Sequence, residues 1–252
     1  MSKKKAYIFY GGYDGHEPDK VSLRFKNMLE KEGFDVLRED NMDRLDDLEF
    51  LKSLDLIVPM YTQGVLKDSR SYNLTEAVMS GVGLAGAHGG MNDAFRWNVE
   101  WQFLTGSQWV AHPGDNWCHH ISTLSDEDMA YVHEHYPDIL EPHAYWTTYT
   151  VNFKKNSTSP LIKGLEDFEV FTEQYYIHVD PAIDVLATTR VKSKGPHAAN
   201  GEVEIPVAYT RLWGEGRVFY QSMGHVDTIF DIYQVSELQR RGFLWASKSE
   251  ID

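Results

Sequence analysis

The chain has 252 residues, a formal net charge of −14, 42% hydrophobic and 25% charged residues, which fits one large or two small soluble domains. So acidic a chain repels polyanions, which excludes nucleic acid and anionic membrane surfaces as natural partners, and no run of ~18 apolar residues is present to span a bilayer. A single cysteine, Cys118, allows no intrachain disulfide and fits a reducing compartment; with no apolar signal-peptide core in MSKKKAYIFYGG, a cytoplasmic location is expected.

In chain order, Ala6 to Tyr10 reads as a first, central strand ending at Gly11-Gly12. Pro18 suits a helix start, and Val21, Phe25, Met28 and Leu29 recur at helical spacing. Phe34 to Leu37, Leu54 to Met60 and Val82 to Ala87 read as further strands, with helices over Leu45 to Leu51 and Asp68 to Ser80 between them. This β-α alternation predicts a mainly parallel sheet with helices on both faces. Asp93 to Leu104 continues as a helix, with Phe95, Val99 and Phe103 spaced to pack. The polar, His-rich tract 115–143 reads as an insertion or lid with a helix over Ser125 to His135. Beyond it, Tyr145 to Phe153, Glu169 to Phe171, Val185 to Arg190, Val207 to Leu212 and Arg217 to Gln221 alternate as strands, which are expected to finish the sheet and add a small antiparallel layer. Ser193 to Gly201 reads as an exposed loop and Ser236 to Ser247 as the last helix. No repeat or linker divides residues 1–252, so a single domain is expected.

The chemistry concentrates in Gly81 to Asn92, GVGLAGAHGGMN. Glycines flanking one polar residue suit a sharp strand-to-helix turn, which needs positive φ and close backbone approach; hydrolases raise a nucleophile on such an elbow. Here the raised residue is His88. In a parallel α/β sheet, ligands bind beyond the C-terminal strand ends, where His16, Tyr61 with Thr62 and Gln63, and His88 all fall. Each histidine alone could instead satisfy its own loop.

Several short stretches together resemble the ThuA-like (trehalose utilisation) family. They are Gly15-His16-Glu17, Gly83 to Gly90, Trp109-Val110-Ala111-His112-Pro113, Phe168-Glu169-Val170 leading to Thr172-Glu173-Gln174-Tyr175-Tyr176, Pro206 to Tyr209, and Gly216 to Tyr220 through Gly224-His225. The resemblance implies a flavodoxin-like, class I glutamine amidotransferase-like three-layer sandwich. Amidotransferases of that class carry a Cys at the elbow and a late His-x-Glu pair; this chain has His88 and His225-Val226-Asp227. An imidazole does not replace a thiolate nucleophile there, so glutamine amidotransferase activity is not expected.

Two uses of the histidines stay open. His16, His88 and His225, with Glu173 near, suit a divalent metal, zinc first. Alternatively His88, Glu173, His112 and His225 carry acid–base catalysis, with Glu173 partly buried and its pKa raised. Tyr61, Asn92, Trp109 and Tyr176 are the candidates for sugar contact. The resemblance implies a small sugar substrate, a functional link to oxidoreductases that make 3-keto sugars, and attack on a 3-keto-disaccharide or glycoside; no nucleotide cofactor is indicated. The alternative is a non-catalytic carbohydrate-binding or regulatory protein that kept the pocket. Ordinary glycoside hydrolysis needs two carboxylates, for which Glu173 and Asp227 are the pair to nominate. A second metal set in Cys118-His119-His120, His133, His135 and His143 matches no zinc spacing, and aromatic side chains in that tract leave a homo-oligomer contact open.

Overall fold

A computed structural model describes residues 3–113, 125–135, 146–192 and 198–251. Strands β1 (Lys5–Gly12), β2 (Asp35–Glu39), β3 (Leu56–Thr62) and β4 (Gly83–Ala87) alternate with helices α1 (Pro18–Lys31), α2 (Leu48–Lys52) and α3 (Asp68–Met79). After α4 (Val99–Thr105), β5 (Ser107–Ala111) and α5 (Asp126–His135) come β6 (Trp146–Phe153), β7 (Phe168–Glu173), β8 (Tyr176–Val179), β9 (Asp184–Val191), β10 (Val203–Trp213) and β11 (Gly216–Gln221), and finally α6 (Tyr233–Ala246). One nine-stranded sheet has the order β2-β1-β3-β4-β11-β10-β9-β6-β7. β2, β1, β3, β4 and β11 are mutually parallel, whereas β10, β9, β6 and β7 continue the sheet antiparallel.

The strand period of two divides the core into two layers. Ala6 and Ile8 of β1 join Val21, Phe25 and Leu29 of α1 and Leu238 and Phe243 of α6 on one face. Tyr7 and Phe9 join Leu74, Ala77 and Val78 of α3 and Trp101 and Leu104 of α4 on the other. Each fully buried Leu or Phe contributes about 1.5–3 kcal/mol, so both layers hold the parallel strands in register. The C-terminal ends of β1, β3, β4 and β11 therefore open on one edge of a rigid sheet. No helix among the described residues is long and apolar enough to cross a membrane.

The expected small antiparallel layer is the β5–β8 pair, and the other late strands finish the main sheet, as expected. Two sequence expectations need correction. No helix begins at Asp93. There the chain runs beside the end of β3, with Gln63 N–H donating to Asp93 O (2.8 Å) and Phe95 N–H to Gln63 O (3.0 Å), and Phe95 takes φ 49°. This tertiary pairing overrides local periodicity, and α4 starts only after Asn98, whose side chain accepts from Trp101 N–H at 2.8 Å. Consequently Phe95 is buried, but Val99 and Phe103 are 62% and 56% exposed, and Trp101 and Leu104 fill the core instead. Ser125 caps α5, accepting from Asp128 N–H at 3.1 Å. Most of the expected insertion, including Cys118, His119, His120 and His143, lies outside the described residues, as does the first part of the Ser193 to Gly201 loop.

A candidate histidine–glutamate centre

Each expected histidine sits just past a strand end. His16 closes a 3-10 turn after β1, and its Nδ1 lies 2.9 Å from Thr62 Oγ1 at the end of β3. His88 leaves β4 at φ 49°, the left-handed elbow that the flanking glycines foretold. His225 follows β11, and His112 follows β5. Glu173, the last residue of β7, meets them all. Its Oε2 lies 3.0 Å from His88 Nε2, 3.0 Å from His225 Nδ1, 3.2 Å from His112 Nε2 and 3.8 Å from His16 Nε2. His16, His88, Glu173 and His225 are all buried, and one donor atom from each lies within 4.8 Å of the others.

The hydrogen-bond pattern decides which atoms can bind a cation. His88 Nδ1 is 2.7 Å from Ser222 O. A carbonyl only accepts, so Nδ1 carries the proton, and in the neutral ring Nε2 presents a lone pair. That nitrogen accepts from the Tyr175 hydroxyl at 2.7 Å while facing the Glu173 carboxylate. Burial pushes the His88 pKa down, as it does more strongly for His16, where the neighbouring His88 adds to the effect. Both rings are thus neutral at pH 7. Burial alone would raise the Glu173 pKa, the expected direction, but the surrounding imidazoles outweigh it and hold the carboxyl well below the usual range. The result is an ionised carboxylate beside the neutral His16 and His88 rings, aimed at one small volume. Donors on one ion at about 2.0–2.2 Å stand roughly 3–4 Å apart, close to the spacings here. A His whose second nitrogen is fixed by a backbone carbonyl is also the usual support of a metal ligand. The buried group could hold a divalent ion.

The candidate sugar contacts divide. Trp109 is buried, its ring edge-on with centroids 5.2 Å from His112 and 6.1 Å from Tyr175, under the Arg96 guanidinium at 4.8 Å. Tyr61 packs on Phe95 (5.8 Å, stacked) rather than on an imidazole. Asn92 is buried and its amide donates to Ser107 Oγ, which also bonds Tyr209; it knits the elbow to β5. The Tyr176 hydroxyl accepts from Asn200 at 3.3 Å. Its neighbour Tyr175 is the residue that stacks on His88, at 4.2 Å, and burial beside the Glu173 charge holds its hydroxyl protonated, well above the usual tyrosine pKa. Sequence reasoning missed Tyr175 as a site residue, together with the aromatic rim: Tyr13, 48% exposed, lies edge-on to His16 at 5.2 Å, and Trp146 touches His225 at 5.5 Å and Phe171 at 5.3 Å. Their nearness in sequence to strand ends was the available signal. Asp227 does not join Glu173 as a second carboxylate; it is paired with Arg24 at 2.6 and 2.7 Å.

A flavodoxin-like α/β sheet carrying a buried three-histidine, one-glutamate centre at its C-terminal strand ends, with the half-buried His112 beside it, defines the class. The chain belongs to the ThuA family, described as trehalose utilisation, whose family model matches residues 5–246. Among solved structures it is similar to ThuA-like proteins from Parabacteroides merdae (19% identity, TM-score 0.67, covering 100% of this chain and 92% of that one) and Bacteroides uniformis (18%, 0.66, 98% and 93%). It is also similar to a cytoplasmic protein from Salmonella typhimurium (10%, 0.57, 98% and 100%). At these identities the likeness speaks to the fold. No curated protein sequence matches the chain.

Proposed function

We propose that the protein is a cytoplasmic sugar-metabolising enzyme that cleaves a 3-keto-disaccharide or related glycoside by acid–base chemistry at the histidine–Glu173 centre, with a divalent ion, zinc before others, held by His16, His88, Glu173 and His225. The observation that carries the proposal is Glu173 Oε2 at the focus of four imidazoles; the family's description as trehalose utilisation supports a disaccharide as the starting point for the substrate. When bound, such an ion supplies a Lewis acid for a carbonyl or a developing oxyanion.

The residues divide the remaining work. A ketone at C3 acidifies the hydrogen on C2, and removal of that proton gives an enediolate that expels the C1 oxygen. A useful base has a pKa near the working pH. Glu173 is held too acidic for this, which leaves imidazole. His88 Nε2 serves if the centre works without an ion. If His88 is a ligand, His112 Nε2, outside the four-donor group, takes the proton and returns it to the departing oxygen. Tyr175, kept protonated, donates a hydrogen bond inside the site. Tyr13, Trp146 and Phe171 offer ring faces to the sugar, where apolar C–H surfaces stack on aromatics.

Incubation of the purified protein with a 3-keto-glycoside tests this. Turnover that disappears in a folded His88→Ala variant is the expected result. Unchanged turnover in the variant refutes the assignment, and sugar binding by calorimetry with no conversion replaces it with the non-catalytic binding role.

A further inference from the structure

The residues following two of the histidines are tied together outside the site. Glu17, next to His16, takes φ 44° and ψ 48°, a left-handed conformation that a non-glycine residue holds only when its surroundings enforce it. As N-cap of α1 it makes no side-chain cap bond. Its carboxylate is used elsewhere: Oε2 accepts from Asp227 N–H at 3.0 Å and Oε1 accepts from Lys20. Asp227, two residues after His225, in turn receives the Arg24 guanidinium in a fork, Nε to Oδ1 at 2.6 Å and Nη2 to Oδ2 at 2.7 Å, while Nη1 reaches Asp231 at 3.0 Å. Beneath the fork Phe25 packs edge-on against Phe230 at 5.0 Å. Across this join the His16 and His225 rings stand 4.9 Å apart.

We infer that Glu17, Arg24 and Asp227 form a positioning clamp that fixes the His16 and His225 loops at the spacing a shared divalent ion requires; this rests on the metal reading given above. The His225-x-Asp227 pair therefore works through α1 rather than as a second carboxylate at the reacting bond. A bidentate Arg–carboxylate fork fixes direction as well as distance, and lysine cannot copy it. The strained backbone at Glu17 is what a purely stabilising residue would not retain: glycine is a fair N-cap and adopts φ > 0 freely. The clamp thus predicts opposite effects of one substitution on stability and on ion affinity.

The test uses full-length apo-protein titrated with zinc ion against a chromophoric chelator, with melting curves in EDTA. Glu17→Gly should melt no lower than wild type yet bind zinc about 10-fold or more weakly, the scale at which groups supporting metal ligands act. Arg24→Met and Asp227→Asn should weaken zinc similarly, Arg24→Lys should fail to rescue, and the swap Arg24→Asp with Asp227→Arg should recover part of the affinity. Variants binding zinc as wild type does overturn this inference alone. A wild-type protein that takes up no divalent ion overturns the metal reading and this inference with it.

Discussion

Gly89→Ala should push His16 out of the centre. A Cβ added at Gly89 would stand 2.6 Å from both Cε1 and Nδ1 of His16 and 3.1 Å from Thr62 Cγ2. Ordinary contact begins near 3.4 Å, so the imidazole must retreat by about 0.8 Å, and its neighbours leave little room in a close-packed interior. The His16 Nδ1 to Thr62 Oγ1 bond is 2.9 Å; a retreat of that size takes it past hydrogen-bonding range. Overpacking and an orphaned buried polar group each cost about 1–3 kcal/mol. At roughly 2–4 °C per kcal/mol for a chain of this size, melting should fall by several degrees or more. Zinc affinity should fall as well, because the same shift displaces His16 from its place in the four-donor group. Scanning calorimetry in EDTA and a zinc competition titration measure the two effects. A variant with wild-type melting and wild-type zinc affinity would refute the claim that Gly89 is the floor on which His16 rests.

Other expectations are independent of that floor. Tyr175→Phe removes the hydroxyl that donates to His88 Nε2; it should cost about 0.5–1.5 kcal/mol in denaturant melts and lower turnover without abolishing sugar binding, and unchanged kinetics would count against any role for the hydroxyl. Glu237 is held below the usual carboxyl range chiefly by its hydrogen bond to Arg240, against burial, with Arg241 adding to it. Its folded pKa is depressed, so the folded state binds fewer protons than the unfolded one; the stability it adds is present above the ordinary Glu pKa and lost as pH falls through the folded value. Glu237→Gln should therefore flatten the acid limb of a melting-temperature profile below about pH 4.5, and a profile parallel to wild type would remove Glu237 from the acid response.

Much of this was readable in the sequence because local and tertiary preferences agree. The β-α alternation through Ala87 needs only hydrophobic period and glycine-marked turns, and the elbow at His88 announces itself by Gly86, Gly89 and Gly90. The rule that parallel sheets bind ligands beyond their C-terminal strand ends selected His16 and His88, and the family resemblance supplied Glu173, His112 and His225. Asp93 to Asn98 was misread because the pattern there suits a helix while pairing with Gln63 forbids one; the N-cap at Asn98 was the overlooked sign. The direction of the Glu173 pKa was out of reach for the same kind of reason. Burial was inferable, but four imidazoles from four separate chain segments meeting one oxygen is a property of the fold. Asp227 shows the converse: in the sequence it is the carboxylate to nominate beside Glu173, and only the structure reveals Arg24 as its partner.

The central claim is that the histidine–Glu173 group holds a metal, and elemental analysis of the protein purified without chelator tests it most directly. About one zinc, manganese or iron per chain, lost on His88→Ala and Glu173→Gln, is the predicted result. A protein that remains metal-free after incubation with each of those ions contradicts that claim and leaves His88 Nε2 as the base of a centre without metal.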